Sequence, residues 1–324
     1  MIKFLAKRVA QSLVIVWGVL TLTFVIVQLA PGDPASIYIR PDIDPTTVAL
    51  IRKEMGLDLP LWQQYTHWMG EFISGNFGVS FVSHRPVKAI LGEAIPNTLR
   101  LTVVVLIFQF AVGILLGIVM AVAEKRRAST MINSILLTVY SLPGFWLALM
   151  LIMIFSLKFG WLPSSQMASI TTPQGLWAQL WDAARHLILP MIVLSSSLVA
   201  YTARFVRGNL SETLKQDYIR MARAFGLPKR KILYKYSLKN ALLPLATMLG
   251  LYFPFLIGGA VVIEYVFAWP GMGRITINAI FSHDYPLILA SCFVAALAVV
   301  IGNLVSDLLY LVVDPRIKMT NNIT

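Results

Sequence analysis

Six apolar stretches, each close to the length needed to cross a bilayer, constrain this chain more than any other feature. They run over residues 9–30, 99–123, 131–157, 187–205, 242–263 and 287–313. A hydrocarbon core of roughly 30 Å takes about 20 mostly apolar helical residues. With 57% hydrophobic and 13% charged residues among 324, much of the chain is too apolar for a water-soluble fold. Lys3, Lys7 and Arg8 ahead of the first run imitate a secretory signal. That run is too long for one, and Pro31 follows Ala30 where a cleavage site would need small residues, so it reads as a retained anchor. The expectation is an all-α integral membrane protein with six transmembrane helices.

The formal charge of +12 fits either nucleic acid or basic cytoplasmic loops, and position decides between them. With the N-terminus inside, the internal segments hold Lys3, Lys7, Arg8, Lys125, Arg126, Arg127, Arg316 and Lys318. The loop over 204–241 is the most basic part of the chain. The short external segments carry only Lys158, Arg185 and Arg274, whereas the long first external loop mixes bases with acids. Both termini are therefore expected in the cytoplasm, and the charge needs no nucleic acid. Cys292 is the only cysteine, which excludes an internal disulfide and a cysteine-based zinc cluster.

The expected organisation is a cytoplasmic N-terminus and first span (1–30), an extracytoplasmic subdomain (31–94), a five-helix core (95–313) and a cytoplasmic tail (314–324). Within the subdomain, Pro45 and Gly56 bracket a helix over 46–55. A second helix over 61–72 carries Trp62, Tyr65 and Trp68, suited either to the membrane interface or to plain packing. Pro143, Pro190, Pro244 and Pro254 lie in or beside spans, where each removes a backbone donor and kinks or breaks the helix.

The segment DYIRMARAFGLPKRKILYKYSLKNALLP, 217–244, reads as helix, turn, helix. Asp217 begins the first helix, Gly226 ends it and Pro228 prevents its continuation. Ala222, Ala224 and Gly226 form a small-residue notch for another protein surface, and the surrounding bases suit polar partners or anionic lipid. This segment resembles the coupling loop of binding-protein-dependent ABC importer permeases, in the form typical of the peptide and nickel family. APGDP (30–34), GLDLPLWQQY (56–65), NFGVSF (76–81), SLPGFWLAL (141–149), EYVFAWPGMGR (264–274), HDYPLI (283–288) and DPRIK (314–318) extend the resemblance over essentially the whole chain, as a B-type subunit.

The resemblance implies the type I importer permease fold with an external subdomain after the first span. It also implies a coupling helix that inserts into an ATPase cleft through Asp217, Ala222, Arg223, Ala224 and Gly226. The family's glutamate falls at Arg220 and its first alanine at Met221, leaving Asp217 as the nearest acid. Implied partners are a second homologous permease, two cytoplasmic ATPase subunits or domains carrying ATP and magnesium, an extracytoplasmic solute-binding protein and the lipid bilayer of the bacterial inner membrane. Di- or oligopeptides are the implied cargo, with nickel, another chelated metal or glutathione as alternatives.

A phosphate-binding loop needs Gly-Lys followed by Ser or Thr, and no Gly-Lys pair occurs, so energy is expected from another polypeptide. Glu264, Trp269, Pro270, Gly271 and Gly273 form an external turn between the last two spans, expected to act as a gate or receptor contact, with Glu264 solvated by headgroup water. Asn303 and Asp307, four apart on the last span, share a helix face and are expected to hold helices together. His67, His84, His186 and His283 are scattered, without the close pairing of a metal site. Ser195, Ser196 and Ser197 lack a nucleophile elbow and serve helix packing or a polar pathway. The chain is not expected to be an enzyme. A self-sufficient secondary transporter or channel should show paired acids or broken helices at the midplane, and acids within the spans are nearly absent.

Overall fold

Each of the six expected spans contains a helix, and prolines set several of the boundaries. A computed structural model describes residues 2–29, 58–123, 127–171, 173–252 and 261–313, with the single positions 46 and 255. The helices are α1 (Ile2–Leu29), α2 (Leu61–Ile73), α3 (Val87–Val122), α4 (Arg127–Ser141), α5 (Gly144–Leu151), α6 (Leu176–Thr213) and α7 (Asp217–Ala224). They are followed by α8 (Lys229–Lys231), α9 (Leu238–Leu251), α10 (Val261–Val266), α11 (Met272–Phe281) and α12 (Tyr285–Val313). π-helical turns extend α5 over Ile152–Lys158 and join α8 to α9 over Ile232–Ser237. Pro60, Pro86, Pro143 and Pro228 immediately precede α2, α3, α5 and α8, each with φ near the value its ring imposes. The helix expected over 46–55 lies outside the described residues apart from Thr46.

Several helices outrun their apolar stretches. The third begins at Val87 instead of near Leu99, and the sixth covers Leu176–Thr213 instead of 187–205. An apolar run marks what faces lipid, whereas backbone hydrogen bonding continues until a breaker stops it. By length and composition α3, α6 and Tyr285–Val305 of α12 each suffice to cross a bilayer. The third span is not continuous, because α4 and the segment Gly144–Lys158 meet at 102°. Pro143 stands at that break, where it lacks an N–H and disfavours helical backbone in the residue before it. Pro190 and Pro244 stay inside α6 and α9, and Pro254 lies outside the described residues.

The most extensive helix pairing joins α3 to α6. It is close because α3 turns Gly113 and Gly117 toward its partner. A β-carbon on Gly117 would stand 2.6 Å from Val206 Cβ and 2.7 Å from the Ala203 carbonyl oxygen. Small residues four apart let membrane helices approach through their backbones, gaining packing where lipid offers no hydrophobic drive. Thr202 donates to Gln109 Oε1 at 2.8 Å across the same seam. Ser195 and Ser196 spend their hydroxyls on their own helix, donating to the carbonyls of Ile192 and Val193. At the other edge, Phe24 of α1 meets Tyr65 and Trp68 of α2 at 5.4 Å between centroids, and Phe72 meets Phe293 of α12 at 5.0 Å. Helix α2 is thus a packing helix, and of its three interface aromatics only Trp62 remains largely exposed.

Candidate functional site

Two constructions lie at opposite ends of α3, and the basic one is a helical hairpin. Helix α7 starts at Asp217 and ends in a Schellman motif. Gly226 N–H donates to the Arg223 carbonyl at 3.0 Å and Leu227 N–H to the Ala222 carbonyl at 3.2 Å. This closure puts Gly226 at φ +71°, a region glycine enters without strain. Ile219 and Ala222 are buried against Ile232, with Leu227 and Tyr236 packed around them. Ala222 is therefore 8% exposed and belongs to the hairpin's own core, not to an outward notch. Ala224 and Gly226 do remain exposed.

The outward face is instead apolar and bulky: Tyr218, Met221 and Phe225 are 41%, 59% and 79% exposed, at spacings that share one side of a helix. The hydroxyl of Tyr218 accepts from Asn240 Nδ2 at 3.0 Å, which ties α7 to α9. Asp217 pairs with Arg220 at 3.2 Å on open surface, a contact worth little. Arg223 turns back toward the end of α6, its guanidinium 3.5 Å from the Leu214 carbonyl oxygen. Sequence reasoning missed Phe225 altogether. Its large apolar side chain just before the helix-ending glycine was the available signal.

At the other end of α3, the expected turn is a buried knot around Glu264. This carboxylate is fully buried, which corrects its expected solvation by headgroup water. Thr98 donates to Glu264 Oε1 at 2.8 Å, and Gly273 N–H donates to Oε2 at 2.6 Å. Gly273 lies in the first turn of α11, so Glu264 satisfies a helix-start donor that has no partner within its own helix. Thr98 Oγ1 also accepts from Met272 N–H at 2.7 Å. Trp269, 1% exposed, donates its indole N–H to the Asn97 carbonyl at 2.9 Å, and Asn97 Nδ2 donates to the Pro270 carbonyl at 3.0 Å.

No side chain fits at the two glycines of this turn. A β-carbon on Gly271 would stand 2.5 Å from Thr98 Oγ1, and one on Gly273 would stand 2.5 Å from Val261 Cα. Asn97 and Thr98 are the residues the sequence reading overlooked, although two polar residues straight after Pro96 at the head of an apolar helix were a signal. Burying a carboxylate is costly without several donors, so this one braces the turn mechanically.

A second buried acid, Asp284, joins two motifs the sequence reading kept apart. Ser80 donates to Asp284 Oδ2 at 2.5 Å and Phe81 N–H to Oδ1 at 3.1 Å, pinning the 76–81 loop to the start of α12. Asn303 lies exposed in a cleft between α1 and α12 beside Gln11, and the side chain of Asp307 lies outside those described. His186 is buried, with Nδ1 2.8 Å from the Asp182 carbonyl oxygen. Among the described residues no group of three or more histidine, cysteine or acidic side chains is placed to hold a metal ion.

Helices long and apolar enough to cross a bilayer, a braced turn toward one end and a stapled hairpin toward the other define a helical membrane protein. The model of the family described as binding-protein-dependent transport system inner membrane component matches residues 113–319, and that of its N-terminal part matches residues 1–102. The chain belongs to this family, and is a non-catalytic permease subunit of an ABC transporter in the inner membrane. It is 38% identical to the oligopeptide transport system permease protein AppB of Bacillus subtilis (strain 168) over 322 residues, covering 98% of this chain and 100% of that one. It is also 35% identical to the glutathione transport system permease protein GsiC of Escherichia coli (strain K12) over 318 residues, 98% of this chain and 99% of that one.

Proposed function

We propose that this chain forms half of a translocation pathway for di- or oligopeptides, paired with a second permease and driven by two ATPase subunits or domains. The names of its relatives support peptide cargo, one being an oligopeptide and the other a glutathione permease. Both termini and the 204–241 loop face the cytoplasm, which accounts for the position of the basic residues. The observation that carries the coupling role is the face of α7. Its Tyr218, Met221 and Phe225 are outward on a short helix stapled to α9, in the manner of apolar anchors that fill a pocket on a partner.

ATP and magnesium act on the partner ATPases. This chain's part is to bear force: closure of the ATPase pair moves α7, and the hairpin core of Ile219, Ala222 and Ile232 passes that displacement to α9. An external receptor docks against the 31–94 segment, and the turn over Glu264, Trp269, Pro270, Gly271 and Gly273, buried except at Pro270, serves as a rigid brace of the outer gate. The test is reconstitution in vesicles with and without each partner. Uptake of a labelled tripeptide should require the ATPases and the receptor. Uptake of free nickel in place of peptide, with no competition between the two, would overturn the cargo assignment.

A further inference from the structure

A cavity of about 940 Å³ opens where α3 and α6 end and the hairpin begins. Four cations line it, Lys215, Arg223, Lys229 and Arg230, and none forms an ion pair among the described residues. Its wall is apolar where the two helices leave the membrane, through Val122, Leu214 and Leu233. Four cations gathered around one cavity with no acid paired to them call for an anion.

We infer that this cavity holds one anionic phospholipid. Its phosphate would sit among the four cations, and its acyl chains would lie along the apolar wall. A free phosphate metabolite satisfies the cations equally but gains nothing from Val122, Leu214 and Leu233, which favours the lipid. On the orientation proposed above this is the cytoplasmic leaflet, the level at which basic clusters meet anionic headgroups. Because the cavity is framed by the end of α6 and by Arg223 and Leu227 of the hairpin, an occupied site splints α7 to the membrane helices.

The experiment uses the assembled transporter in nanodiscs of phosphatidylcholine, with or without one-fifth phosphatidylglycerol, and counts retained lipid by native mass spectrometry. Wild type should retain phosphatidylglycerol on this chain. Lys215→Gln with Arg230→Gln, both exposed positions, should weaken retention about 25-fold, at roughly fivefold per cation. Equal retention by wild type and the double variant would overturn the proposal, as would binding of free glycerol phosphate as tightly as the lipid. Lipid retention depends on neither transport nor cargo.

Discussion

Gly226 joins local backbone geometry to the proposed coupling role. At φ +71° an added β-carbon strains the turn by about 1 kcal/mol, yet nothing lies within 4 Å of where it would stand. Gly226→Ala should therefore keep membrane abundance normal and lower peptide uptake only mildly. Gly226→Asp adds a charge beside the exposed Phe225, and should retain insertion but abolish coupled uptake and reduce ATPase co-purification. Membrane abundance, ATPase retention and uptake measured together check both outcomes, and normal uptake by the aspartate variant would remove the hairpin from the coupling path. At the opposite end, Glu264→Gln replaces one acceptor with an amide donor that faces Gly273 N–H. The loss should be roughly 1–3 kcal/mol, read as a lowered melting temperature in detergent. Thr98→Val removes the other side of the same contact, so the double variant should fall well short of the sum of the two singles.

Helix α7 shows how an element can be legible in its limits and not in its orientation. Asp217 at its start, and Gly226 and Pro228 at its end, announce the boundaries because capping and helix breaking are local effects. Which face turns outward is not local, since Ile219 and Ala222 on one side and Met221 and Phe225 on the other are all apolar. Packing against Ile232 and Tyr236 decides it. Replacing Met221 and Phe225 together with serine should cut ATPase retention at least tenfold while leaving the hairpin folded, as two buried anchors typically contribute more than about 1 kcal/mol each to an interface. Co-purification at fixed permease abundance tests this. The α3–α6 pair rests on equally specific contacts. Gly117→Leu must push Val206 and the Ala203 carbonyl away, at about 1–3 kcal/mol or more, and should lower the yield of folded protein on extraction.

Across the whole molecule, two different constructions contact α3, one around Thr98 and one beyond its C-terminal end. The Glu264 knot ties α3, α10 and α11 into a braced unit, whereas the α7 hairpin is a small lever joined to α9 through Ser237 and the π-helical turn before it. On the proposed function, motion delivered at α7 reaches the membrane helices before it reaches the knot, so a pathway shared with a second permease reopens without dismantling this turn. On the proposed function, the chain moves nothing by itself. Purified alone in vesicles, it should neither hydrolyse ATP nor accumulate tripeptide, and ATP turnover by the isolated chain would contradict its role as a force-bearing subunit.

The apolar runs and the glycines and prolines at helix ends were readable directly, because lipid length and backbone sterics act over short stretches of chain. So was the family, through motifs spread from 30 to 318. The buried acids were not readable. Glu264 finds Thr98 across 166 positions and Asp284 finds Ser80 across 204, and no periodicity reports such partners. Proline was ambiguous for the same reason. Pro143 stands at a 102° break while Pro190 stays inside a continuous helix, although proline lacks an N–H and restricts the preceding residue at both positions. Local physics sets where helices form and stop, and three-dimensional packing settles which polar groups are buried together and which apolar ones are left to face a partner.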